Sequence, residues 1–181
     1  MSKALIIIDY VNDFVASNGA LTCGEPAQVI DDYIATLTTD FAKDGAFVVI
    51  ASDQHSAGDE YSPETKLFPA HCMENTDGSS LFGKTAKAVE KVDSKQIIEV
   101  AKCRYSAFAG TNLDIKFRER GVKDVYLVGV CTDICVLHTA VEAYNLGYNI
   151  FVCEKGVASF NADGHKFALE HMKSAMGATI I

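Results

Sequence analysis

Four times in this chain a helical pattern closes on a glycine and gives way to a short run of apolar residues. Residues 26–44 carry Val29, Ile30, Tyr33, Ile34, Leu37 and Phe41 on one helical face, end at Gly45, and precede Phe47-Val48-Val49-Ile50. Residues 112–120 end at Gly121 ahead of 125–130, residues 133–146 at Gly147 ahead of 148–152, and residues 165–176 at Gly177 ahead of 178–181. A glycine just past a helix supplies the left-handed residue that ends it. The apolar runs lack the polar alternation of a sheet with one wet face, so both of their faces must be covered. Adding residues 4–8 and 97–100 makes six strands. The pattern predicts an α/β fold of three layers: a doubly wound, mostly parallel six-stranded sheet with helices on both faces.

A single domain spanning residues 1–181 is expected, since 49% hydrophobic residues suffice for one substantial core. The one long irregular stretch, at about 52–80, is where a binding loop is expected. A formal net charge of -8, with the acids scattered, argues against a nucleic-acid or anionic-membrane partner. The apolar runs are far shorter than the roughly 20 residues that span a bilayer. Met1-Ser2-Lys3 leads straight into the first strand without the apolar stretch of a signal peptide, so a cytoplasmic protein is expected. The six cysteines form no C-x-x-C pair, and most of them read as small core residues.

In a parallel sheet all strands open their carboxyl ends onto one edge. Asp9 follows the first strand, Lys102 the run at 97–100, and Cys135 lies just past the run at 125–130. An acid, a cation and a thiol would then share one crevice. Cys135 falls in the first turn of the helix after that strand, with Thr132 or Asp133 as its N-cap, where the positive helix end favours thiolate. Backbone N–H groups there can also hold an oxyanion. The same cysteine would equally suit a buried position packed on the sheet, and Asp9 a simple turn. A carboxylate beside a thiol can take its proton and return it to a leaving amine.

Asp53 and His55, with Glu64 and His71 nearby, form a second group directly after strand two. Carboxylate and imidazole donors on one loop suit a divalent transition metal. Asp59 and Glu60 are alternatives to Glu64. No G-x-G-x-x-G follows the first strand, and neither a G-x-x-x-x-G-K-[ST] loop nor a G-x-S-x-G elbow occurs.

Four segments in register resemble the isochorismatase-like cysteine hydrolases: Ile7-Ile8-Asp9-Tyr10-Val11-Asn12-Asp13-Phe14, Ser52-Asp53-Gln54-His55, Lys102-Cys103-Arg104-Tyr105-Ser106-Ala107-Phe108 and Gly129-Val130-Cys131-Thr132-Asp133-Ile134-Cys135-Val136. The metal loop makes the chain similar to the nicotinamidases of that superfamily, with Gln54 standing where many of them have tryptophan. The resemblance implies a six-stranded parallel sheet and a catalytic group of Asp9, Lys102 and Cys135. It implies a cis peptide between Val130 and Cys131, with the N–H groups of Cys131 and Cys135 facing an oxyanion. It implies a divalent metal, zinc first among the candidates, on Asp53, His55, Glu64 and His71. Phe14, Phe68 and Tyr105, with Val130 and Cys131, fall where the family holds a pyridine ring. The implied reaction is hydrolysis of nicotinamide (and of pyrazinamide) to the acid and ammonia through a thioester, within NAD salvage, by a homo-oligomer. The rival expectations are an amidase of the same superfamily acting on a ureido or carbamoyl compound, and a non-catalytic metal-binding domain on the same fold.

Overall fold

A run such as Leu5-Ile6-Ile7-Ile8 has no polar face to show to water. In the computed structural model, which describes residues 2–181, all four residues are fully buried at the centre of the sheet. The strands are β1 (Ser2–Ile8), β2 (Phe47–Asp53), β3 (Ile97–Lys102), β4 (Val122–Val130), β5 (Asn149–Ala158) and β6 (Thr179–Ile180). They form one sheet in the order β3-β2-β1-β4-β5-β6, and every neighbouring pair is parallel.

Successive residues of a strand point to opposite faces, and here each face meets its own core. Ala4, Ile6 and Ile8 enter one core, Leu5 and Ile7 the other. The helices are α1 (Asn12–Val15), α2 (Glu25–Gln28), α3 (Asp31–Lys43), α4 (Gly83–Val89), α5 (Leu113–Glu119), α6 (Leu137–Leu146) and α7 (Ala162–Met176). On the Leu5 face α3 and α4 add Ile34, Phe41 and Val89. On the other face α5, α6 and α7 add Phe117, Ala140 and Met172. Each fully buried large aliphatic side chain contributes about 1.5–3 kcal/mol, so the two cores together hold the three layers.

The strand order decides where a ligand can sit. The chain lays down β1, β2 and β3 in one direction, then crosses to the other flank of β1 to begin β4. Helices leave to opposite faces at that reversal, which opens a crevice outside the carboxyl ends of β1 and β4. Asp9 leaves β1 there and Cys131 leaves β4, while Asp53 and Lys102 pair in register at the ends of β2 and β3. Gly129 lets β4 approach β1: its φ is +114, and a Cβ on it would lie 2.0 Å from the Ile8 carbonyl oxygen.

Gly45, Gly121, Gly147 and Gly177 all have positive φ, as the helix–glycine–strand pattern predicts. Several local expectations are corrected. The helix expected at 26–44 is two helices, broken at Val29 and Ile30, and the break turns Val29 out of the apolar stripe to 67% exposure. The segment expected as helix from 133 opens with a π-type turn, Thr132–Val136, before α6. Neither Thr132 nor Asp133 caps that turn, because the Thr132 hydroxyl is 2.8 Å from His165 Nδ1 instead. The 52–80 stretch holds two short 3-10 turns, Pro63–Lys66 and Asp77–Ser79. Among the described residues no helix is long and apolar enough to cross a membrane.

Helix α4 was not legible in the sequence, because its cap is not local. Asp31, at the start of α3, accepts the N–H groups of Lys84 (2.7 Å) and Thr85 (2.9 Å) and the Thr85 hydroxyl (2.8 Å). Gly83 makes room for it, since a Cβ there would lie 2.3 Å from Asp31 Oδ2. One buried carboxylate thus satisfies the orphan donors of another helix. Asp31→Ala is expected to lower unfolding free energy by about 2–4 kcal/mol. Urea titration followed by circular dichroism checks this; a loss within about 0.5 kcal/mol, the range of ordinary surface changes, would show that the cap is not needed.

Candidate active site

The residue after β1 must turn the chain away from the sheet, and Asp9 does so with φ 53, a conformation that Asp tolerates better than bulkier residues. Its own N–H donates to the Ala51 carbonyl (2.9 Å), and its Oδ1 accepts the N–H of Asp53 (2.7 Å). The carboxylate is thereby anchored across the ends of β1 and β2. Its other oxygen, Oδ2, lies 2.7 Å from Lys102 Nζ.

Lys102 is only 2% exposed, unlike the usual solvated lysine at a strand end. Its ammonium is 2.7 Å from Asp9, 3.5 Å from Asp53 Oδ1 and 3.9 Å from Cys135 Sγ. Burial works against that charge, but Asp9, Cys135 and Asp53 outweigh it and hold the lysine pKa above its ordinary range. Burial pushes Asp9 up to about 6 against the pull of Lys102, with repulsion from Asp53 adding to the rise. The Cys135 thiol is held well above the cysteine range, by burial first and then by Asp9, which together outweigh Lys102. Burial beside a carboxylate thus works against the helix-end field that favours thiolate, and favours a thiol that a neighbouring base deprotonates.

Asp53, His55, Glu64 and His71 come together with their donor atoms all within 4.8 Å of one another. His55 Nε2 is 2.8 Å from Asp53 Oδ2, and His71 Nε2 is 3.4 Å from the same oxygen and 3.5 Å from Glu64 Oε2. His71 Nδ1 donates to the Pro69 carbonyl (2.8 Å), which aims Nε2 into the cluster, where that buried atom has no hydrogen-bond partner. Burial disfavours a charged His71, yet Asp53 and Glu64 raise its pKa to about 10. Two carboxylates in a buried pocket draw in a positive charge, as a proton or as a metal ion. Two nitrogens and two oxygens at this spacing, with an imidazole fixed by an outer carbonyl, fit a divalent transition metal. Glu64 joins the group because the Pro63–Lys66 turn buries it. The alternatives Asp59 and Glu60 stay exposed, and Asp59 instead accepts the N–H groups of Tyr61 and Ser62.

Asp9, Cys135, Glu64 and His71 all border one cavity of about 440 Å³. Phe14, Phe68 and Tyr105 line it, as do Val130 and Cys131, and the peptide bond between those two is cis. The Phe14 and Phe68 rings stand 5.6 and 6.0 Å from the His71 ring. Sequence reasoning missed three parts of the wall: residues 19–22, Ile134 and Phe160. It also missed what holds residues 19–22, the Asp13 carboxylate, which accepts Ala20 N–H (3.2 Å) and Cys72 N–H (2.7 Å). Asp13 was visible inside the first motif, but nothing in local spacing shows which distant loops it ties.

Residues 3–181 match the isochorismatase domain family. The chain is 35% identical over 185 residues to the nicotinamidase/pyrazinamidase of Mycobacterium tuberculosis, covering 96% of this chain and 95% of that protein. It superposes on the crystal structure of nicotinamidase/pyrazinamidase PncA from Bacillus subtilis with TM-score 0.97 at 52% identity, over 99% of each chain. The pyrazinamidase of Pyrococcus horikoshii, solved in complex with zinc, is 29% identical with TM-score 0.85, over 100% of this chain and 99% of that one.

Alanine at Asp53, His55, Glu64 or His71 is expected to weaken retention of a divalent metal by about tenfold or more, since even outer-shell losses reach that range. Elemental analysis of the purified variants, each confirmed as folded, measures it. Metal content equal to the parent's in the Glu64 variant would remove Glu64 from the donor set.

Proposed function

Because this chain belongs to the isochorismatase domain family, we propose that it is a metal-dependent cysteine amidase that converts nicotinamide to nicotinate and ammonia. The observation that carries this reading is the contact of Lys102 with both Asp9 (2.7 Å) and Cys135 (3.9 Å) beside a cavity that also meets Glu64 and His71. A cavity of about 440 Å³ walled by aromatic rings suits a small heteroaromatic amide.

In this reading Asp9 takes the proton of Cys135 as the sulfur attacks the carboxamide carbon. The carbonyl oxygen becomes an oxyanion held by the N–H groups of Cys131 and Cys135. Asp9 gives its proton to the nitrogen as the C–N bond breaks, ammonia departs, and a thioester remains on Cys135. Water then adds to the thioester carbon, passing a proton to Asp9, and nicotinate leaves the sulfur, which recovers its proton. Lys102 keeps Asp9 in place and offsets its charge throughout. Phe14, Phe68 and Tyr105 flank the ring. A divalent metal on Asp53, His55, Glu64 and His71, zinc first among the candidates, would supply a Lewis acid for the ring nitrogen. The enzyme acts on a free small molecule in the cytoplasm.

The direct test is ammonia release from nicotinamide by the purified protein, with and without prior chelation. Cys135→Ala and Asp9→Asn are each expected to reduce kcat by at least about 10⁴-fold. The double variant should be little worse than either, because groups acting as one unit give non-additive losses. Turnover by Asp9→Asn near the parent rate would show that the proton goes elsewhere.

Substrate choice separates this reading from a ureido or carbamoyl amidase. Nicotinamide and pyrazinamide share a ring nitrogen that benzamide lacks, and a site built around a polar contact rejects the analogue without it. Benzamide is expected to show kcat/KM at least about 100-fold lower than nicotinamide. Initial rates at equal enzyme concentration measure this, and equal values for the two amides would favour a general amidase.

A further inference from the structure

Cys23 and Cys131 are 108 positions apart in the chain, yet their sulfurs lie 3.1 Å apart. Both are free thiols, and neither sulfur takes part in the amidase chemistry, where Cys131 enters only through its backbone. Cys131 lines the cavity beside Cys135, whereas Cys23 is 4% exposed and sits behind the wall formed by residues 19–22. The pair therefore joins the two sides of the cavity that are built from distant parts of the chain: the loop after α1 and the turn after β4.

We propose that Cys23 and Cys131 form an oxidation-sensitive dithiol, which a hydroperoxide converts to a disulfide that locks the cavity wall to the turn carrying Cys135 and reversibly stops turnover. The Cys131 sulfur, which borders the cavity, attacks one oxygen of the peroxide as it gives up its proton, and the O–O bond breaks. Cys131 becomes a sulfenic acid, and the other oxygen leaves as hydroxide, which takes up that proton as water. The sulfur of Cys23 then attacks the Cys131 sulfur and the S–O bond breaks. Hydroxide departs with the Cys23 proton as a second water. Two thiols lose two electrons in all, and the peroxide gains them.

The surroundings suit these roles. Cys131 borders the cavity where a peroxide would enter, and the buried Cys23 sulfur lies 3.1 Å from it, within reach of a sulfenic acid there. Contact with Cys131 lowers the Cys23 pKa against burial. A disulfide has an S–S length of about 2.05 Å, so closure draws the sulfurs together by about 1 Å. The backbone N–H of Cys131 is a proposed oxyanion donor. Misplacement by about 1 Å at such a position can cost about 100-fold in rate. Loss of turnover rests on the nicotinamidase reading, whereas formation of the bond does not.

The test treats the metal-loaded protein with hydrogen peroxide, removes the excess with catalase, blocks remaining thiols and maps peptides without reductant. A linked peptide joining Cys23 and Cys131 is expected to accumulate in step with at least a tenfold fall in ammonia release, and dithiothreitol should reverse both. Cys23→Ser should start with unchanged turnover and show no reductant-recoverable loss; Cys23→Ala serves if the serine variant fails to fold. A link between Cys131 and Cys135 instead, or a recoverable loss that persists in the Cys23 variants, overturns the proposal. Untreated protein that releases no ammonia, while treated protein yields the Cys23–Cys131 peptide, overturns the amidase reading and leaves the dithiol standing.

Discussion

A single ammonium group withdrawn from water organises the carboxyl edge of this sheet. Lys102 is 2% exposed and stands between Asp9 and Asp53, at 2.7 and 3.5 Å. An unpaired charge at that depth would cost several kcal/mol, so the two carboxylates must be present and correctly placed. Each of them is tied onward: Asp9 to the backbone of Asp53, and Asp53 to His55. The corner that carries Cys135 and the cluster of candidate metal donors are therefore one electrostatic unit. Moving either group would strand a buried charge in the other.

The scaffold makes that unit possible through strand order more than through any one side chain. Placing β1 between β2 and β4 brings three strand ends and one helix-leading turn into the same crevice. Close approach of β4 to β1 requires Gly129, since any Cβ there would collide with the Ile8 carbonyl. The rigid sheet supplies the charged groups. The loops supply Phe68, Tyr105 and three of the candidate metal donors, His55, Glu64 and His71, and Asp13 in α1 ties down Ala20 and Cys72. This division suits a small-ligand hydrolase, in which reacting atoms need fixed positions and the wall sets which ring fits.

The parts of the site legible in the sequence were those that follow from strand ends. Asp9 and Lys102 interrupt or follow aliphatic runs, and in a parallel sheet such positions share an edge whatever the strand order. The donor pair Asp53 and His55 was legible for the same reason. Glu64 was ambiguous against Asp59 and Glu60, because only the Pro63–Lys66 turn decides which acid is buried. For Cys135 the helix start was legible, but not the burial and the Asp9 charge, which act through space against the helix-end field.

By itself, the sequence determined the six strands, the two-sided burial of central strands such as β1 and β2 and the glycines that end the helices, because periodicity and turn chemistry are properties of neighbouring residues; it did not show that the edge strand β3 leaves Glu99 and Ala101 exposed. It did not determine the Asp31 cap on α4, the exposure of Val29, the Asp13 ties or the contact of Cys23 with Cys131. Asp31 and Thr85 are 54 positions apart, Asp13 and Cys72 are 59, and Cys23 and Cys131 are 108. No local preference encodes such pairs. They exist because the order β3-β2-β1-β4-β5-β6 brings distant loops to one end of the sheet, where buried polar atoms must find partners in whatever lies beside them.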